Sequence, residues 1–149
     1  MPKRGSFEVL CGVAVSCRRS CSSSVTVSQV SASITLDPVS GIFAAMRSHT
    51  INGVPLSDVV GGGDPQAIAS AIFAAVQAHG GLARTAAVLD VGCGCGRIAA
   101  ALTQYLSPEG RYVGVDIVSE LIGFAREFIG APNPNFHFLL LNDRKICAD

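Results

Sequence analysis

Apolar residues collect into short dense runs in the second half of the chain, separated by segments of helical spacing. Ala87–Val91, Arg111–Asp116 and residues 136–141 are short, rich in Val, Leu or Phe, and bounded by Gly, Pro, Asn or Asp, which predicts three strands. The small apolar stretch 97–106 predicts the first intervening helix. Ser119 opens a second, to about residue 129, with Leu121, Ile122, Ala125 and Phe128 facing the sheet. Strands alternating with helices in this way predict a parallel sheet.

Upstream, Asp64 suits an N-cap, Pro65 a first helical position, and Gly80-Gly81 a stop. Between them Ile68, Ile72, Phe73 and Val76 share one helical face. Further upstream the order weakens. Asn52-Gly53 and Gly61-Gly62-Gly63 read as turns, and Asp37-Pro38 opens a short helix to about Arg47. Residues 25–36 alternate like a strand, with a phase slip at Gln29-Val30. Residues 1–24, rich in Ser, Cys and Arg, read as a poorly ordered leader. The boundary is drawn at 63/64: a partly disordered N-terminal extension, 1–63, then the ordered α/β unit, 64–149.

The chemistry concentrates at Val88-Leu89-Asp90-Val91-Gly92-Cys93-Gly94-Cys95-Gly96. A strand running into alternate glycines and then a helix is how a doubly wound α/β domain opens a cofactor site. Asp116 ends the second strand, where a carboxylate can accept hydrogen bonds from both ribose hydroxyls. Together they predict an adenosine-containing cofactor. In a nicotinamide fingerprint the third glycine would stand at position 97. Here Arg97 occupies it, the third glycine is Gly96, and Asp90 precedes the first. A carboxylate facing that loop would repel a pyrophosphate and suit a ligand carrying an amine. The competing reading is a glycine-rich turn that binds nothing.

The pattern Asp-x-Gly-x-Gly-x-Gly from Asp90 resembles motif I of the class I S-adenosylmethionine-dependent methyltransferases. Residues 112–127, YVGVDIVSELIGFARE, resemble that family's second strand, ribose acid and following helix. The resemblance covers about residues 82–143. It implies a Rossmann-like three-layer α/β sandwich, here a partial doubly wound parallel sheet holding the first three strands. It also implies S-adenosylmethionine as cofactor, held by Asp90, Gly92, Cys93, Gly94, Gly96, Asp116, Ile117, Asn142 and Asp143. Asp90 would meet the methionine amine, Asp116 the ribose, and Asp143 or Asn142 the adenine amine. The helix after Asp64 resembles the one that packs over the family's cofactor cleft.

A full-length relative would continue with four more strands, the fourth lying beside the first. The first strand is therefore expected to be an exposed edge, covered by residues 25–60, covered by a second copy of the chain, or left bare in a marginally stable fragment. The reaction implied is direct displacement at the methyl group, onto a small-molecule acceptor. No residue is assigned as base: His49 and His79 are candidates in principle, His79 reads as a helix-terminal cation, and His137 as a structural strand residue. The alternatives are a non-catalytic cofactor-binding or oligomerising fragment and, less favoured, an NAD-dependent oxidoreductase.

Composition narrows the partners. The chain has 149 residues, 15% charged, and a mean hydropathy of +0.45, enough for one domain with a core. Eleven Lys and Arg balance eleven Asp and Glu, so no basic surplus points to nucleic acid. Six cysteines lack metal spacing: Cys93 and Cys95 are too close for a knuckle, and Cys11, Cys17 and Cys21 have no histidine nearby. Lys3, Arg4 and the apolar run 9–15 sketch a secretory leader, but the run is short and Glu8 breaks its charge logic. No run approaches a membrane span. The expectation is a cytoplasmic protein with no metal, able to self-associate through its sheet edge.

Overall fold

A computed structural model describes residues 8–10, 13–16 and 39–141. In chain order its elements are β1 (Glu8–Leu10), β2 (Val13–Ser16), α1 (Ser40–Ser48), β3 (Thr50–Ile51), β4 (Val54–Pro55), α2 (Leu56–Val59), α3 (Pro65–His79), β5 (Ala87–Val91), α4 (Arg97–Leu102), β6 (Arg111–Asp116), α5 (Ser119–Ala125) and β7 (Phe136–Leu140). The main sheet runs β1-β2-β5-β6-β7, and β3 and β4 form a separate hairpin.

The three predicted strands are present and parallel, Ala87 pairing with Arg111 and Tyr112 with Phe136. The architecture is a partial Rossmann-like α/β sheet. Both crossovers, through α4 and through α5, step in the same direction across the sheet, so right-handed connections leave both helices on one face. That face carries Val88, Tyr112, Phe136 and Phe138, all buried. Leu89, Val91 and Leu139 project to the other face and remain exposed.

The expected bare edge of β5 is not found. β2 pairs antiparallel along it, from Val13 opposite Asp90 to Ser16 opposite Ala87, and β1 pairs antiparallel with β2. The cover thus comes from residues 13–16, within the stretch read as a disordered leader, rather than from 25–60 or a second copy. The physical cause is general: an edge strand offers a row of free N–H and C=O groups that the short strand Val13-Ala14-Val15-Ser16 can satisfy. The strand reading of 25–36, the Asp37-Pro38 opening, Asn142 and Asp143 all lie outside the described residues.

Residues 39–59 pack onto the same core as the rest, through Val39, Phe43, Met46 and Leu56. Asn52 and Gly53, both at positive φ, make the β3–β4 turn. α3 starts as expected: Asp64 Oδ1 accepts from the Ala67 N–H at 2.7 Å, Pro65 follows, and Oδ2 pairs with Arg47 at 3.1 Å. Its buried face is Pro65, Ala69, Phe73 and Val76: Phe73 and Val76 are buried as predicted, Ile68 is half-buried, and Ile72 faces outward. α4 is shorter than expected and unwinds through turns to Leu106. Val118, not Ser119, is the N-cap of α5, which continues as a π-helical turn at Arg126–Gly130. Among the described residues no helix is long and apolar enough to cross a membrane.

Candidate cofactor site

The glycine turn is built at the carboxyl end of the parallel strands. Gly92 and Cys93 both donate their N–H to the Val115 carbonyl, at 2.8 and 3.1 Å, which locks the turn onto β6. The Gly94 N–H donates to Asp116 Oδ2 at 2.8 Å, and the Val118 N–H to Asp116 Oδ1 at 2.9 Å. Asp116 therefore joins the loop after β5 to the start of α5. Each of its oxygens keeps acceptor capacity beyond these bonds.

The glycines of this loop answer to different constraints. Gly92, at φ 78°, has open space where a side chain would stand. A Cβ on Gly94 would lie 2.8 Å from Val60 Cγ1, and one on Gly96 2.6 Å from Ile129 Cδ1. Gly96 is thus a packing requirement between α4 and the turn after α5. Gly114, which the sequence reading passed over, is a second such place: its Cβ would stand 2.9 Å from Cys93 Sγ.

A cavity of about 480 Å³ opens between α3 and the end of β5. Ala71, Ile72, Ala75 and His79 line it from α3, and Asp90, Gly92, Cys93 and Arg97 from the other side. The displaced Ile72 is accounted for here, since its side chain walls the cavity instead of the core. Asp90 is 7% exposed and accepts a hydrogen bond from the Tyr112 hydroxyl at 2.6 Å. Burial raises its carboxyl above the usual range, the Tyr112 bond counteracts this, and nearby Asp116 adds to the rise. Arg97 donates to the carbonyls of Val60, at 2.5 Å, and Gly62, at 3.4 Å. This ties the 60–63 turn over the glycine loop.

Of the residues predicted for the site, Asp90, Gly92 and Cys93 meet in the cavity. Gly94 and Asp116 are joined beside it, Ile117 stands 74% exposed next to Asp116, and Gly96 turns into the core. Burial, with Asp90 and Asp116 adding, pushes the Cys93 thiol to about 12, and burial pushes Cys95 to about 11 although Arg97 counteracts it. Neither is a nucleophile at neutral pH. Among the described residues no group of His, Cys, Asp and Glu could hold a metal. His49 packs edge-on against Phe124 and Phe128, with Nδ1 3.1 Å from the Ala45 carbonyl. The sequence reading missed Tyr112 and the lining from Ala71 and Ala75; a tyrosine in an otherwise apolar strand was the available signal for the first.

Residues 88–147 match the family model described as a methyltransferase domain. The matched segment holds both the glycine loop and Asp116, and over that segment the chain is similar to a methyltransferase domain. Among solved structures it is similar to a TehB-like SAM-dependent methyltransferase from Corynebacterium glutamicum, at 22% identity and a TM-score of 0.36. That match covers 58% of this chain and 39% of the other, so the chain spans well under half the length of that methyltransferase.

Proposed function

We propose that the chain binds S-adenosylmethionine at the glycine loop and serves methyl transfer to a small-molecule acceptor. The observation that carries this reading is the pairing of Asp116 with the loop: one carboxylate, bonded to Gly94, stands where the turn meets the second strand. The residues fit the group. Gly92 leaves space for a ligand against backbone, Asp90 is a buried carboxylate at the cavity wall, and Ile117 displays an apolar surface beside the ribose acid. Asp116 would accept from the ribose hydroxyls, and Asp90 would take the ammonium of the methionine end. Asn142 and Asp143 are proposed for the adenine amine on the family resemblance alone.

When bound, S-adenosylmethionine supplies a methyl group already activated by its sulfonium. The chain's own task is then to hold the cofactor and exclude water. Ile72, Ala71 and Ala75 give the cavity an apolar wall suited to that. A binding role without turnover is the competing reading, favoured by the antiparallel β2 at the outer edge of β5.

The test is thermal unfolding of the purified chain with S-adenosylmethionine, S-adenosylhomocysteine or NAD, beside Asp116→Ala. A ligand at a hundredfold its dissociation constant stabilises the fold by about 2.7 kcal/mol. A rise in Tm with both S-adenosyl ligands, lost in the variant, is expected; no rise, or a rise with NAD alone, defeats the proposal. Transfer of labelled methyl groups to a small-molecule extract then separates turnover from binding alone.

A further inference from the structure

Tyr112 has no exposed surface, yet it carries a hydroxyl into the core. Its ring is stacked on Phe136, centroids 5.2 Å apart and 21° between planes, and tilted against Phe138 at 5.6 Å. Phenylalanine would make those ring contacts equally well. The hydroxyl needs a different explanation, because a buried phenol must find an acceptor. Its acceptor is Asp90 Oδ2, at 2.6 Å, on the neighbouring strand.

Asp90 has the complementary problem. A nearly buried carboxylate requires donors, and among the described residues Tyr112 is the one that bonds its side chain. The two residues sit one row apart on the same sheet face: Val88 is opposite Tyr112, and Asp90 is opposite Gly114. Gly114 has no side chain to intervene between them. Asp90 also lines the cavity beneath α3, whereas Tyr112 does not.

We propose that Tyr112 is a positioning residue: its hydroxyl holds one Asp90 oxygen so that the other faces the cavity and takes the ammonium of an amino-acid-bearing ligand. This rests on the cavity being the S-adenosylmethionine site. Held this way, the carboxylate has one acceptor committed inward and one directed outward, and it cannot rotate away from the ligand. The same hydrogen bond favours the ionised carboxylate against its burial, so its loss would let the carboxyl keep its proton to higher pH.

The experiment is calorimetric binding to the full chain across a pH series, with two probes. S-adenosylhomocysteine carries the amino-acid end, and 5′-methylthioadenosine lacks it. Tyr112→Phe is expected to weaken S-adenosylhomocysteine about tenfold, move the onset of its binding to higher pH, and leave methylthioadenosine within about twofold. A change that merely loosened the core would weaken both ligands together. Asp90→Asn should reproduce the selective loss, and the double variant should bind S-adenosylhomocysteine no worse than Asp90→Asn alone.

Equal losses for the two probes, or no loss for either, overturn the assignment while leaving the cofactor site standing. A further loss in the double variant does the same, and that comparison holds even if Tyr112→Phe alone does not fold. A wild-type chain that binds neither probe removes the proposed function, and this inference with it.

Discussion

On the helix-covered face of the sheet, Tyr112 and Phe138 are 0% and 4% exposed, whereas Val91 and Leu139 on the opposite face keep 53% and 49%. Both faces are apolar, and both belong to the same three parallel strands. What separates them is connectivity. Strands β5, β6 and β7 advance in one direction, so each right-handed crossover delivers its helix to the same side. An apolar side chain contributes according to what covers it, not according to its type. The glycine loop lies where the covered face meets the strand ends, and Gly96 packs it against Ile129 and Phe138 of that face.

The contrast is broken most directly by truncating one residue on each face. Phe138→Ala is expected to cost about 3–5 kcal/mol in urea unfolding, and Leu139→Ala less than about 1. Equal costs would mean that the exposed face is covered in solution.

Within the loop, Gly96→Ala should cost about 2–4 kcal/mol, because φ is +85° and the new methyl meets Ile129. Gly92→Ala, with open space around it, should cost about 1–2 kcal/mol and act mainly on ligand binding. Paired melting and S-adenosylhomocysteine titration of the two variants would expose a reversed order. The fastening of the helix layer is sharpened by Asp64→Ala, which removes the α3 cap and should lower stability by about 1 kcal/mol at pH 7.

The smallest effect is a slope. Asp90 is held above the ordinary carboxylate range, first by burial, so the folded state keeps its proton to higher pH than the unfolded chain. Stability from this group is present below the unfolded pKa and is lost as pH rises through the raised folded one. Unfolding measured from acid toward neutral pH should show this decline in the wild type and a flatter curve in Asp90→Asn. An unchanged curve would place Asp90 in contact with water.

Much of the covered face and the loop could be read locally. Asp64 and Pro65 opened α3 because capping is a contact between residues three apart, and Asn52-Gly53 turned the chain because both accept positive φ. The strands 87–91 and 111–116 followed from density and punctuation alone. Readings that depended on a distant partner fared differently. Ile72 has helical spacing with the core set, but the cavity beside β5 turns it outward. The packing of Gly96 against Ile129, far along the chain, had no local signal. Residues 13–16 carried only a short apolar run, too weak a signal until β5 supplied an edge to pair with.

By itself the sequence determined the order of strands and helices from Asp64 onward, the glycine turn and the two carboxylates at the strand ends. Each of these is a matter of local conformation and spacing. Only the tertiary structure decided which face of the sheet is covered, which glycine serves the core and which the cleft, and that Tyr112 bonds Asp90 across two strands. Those are properties of pairs remote in the chain, and no local preference encodes the distance between them.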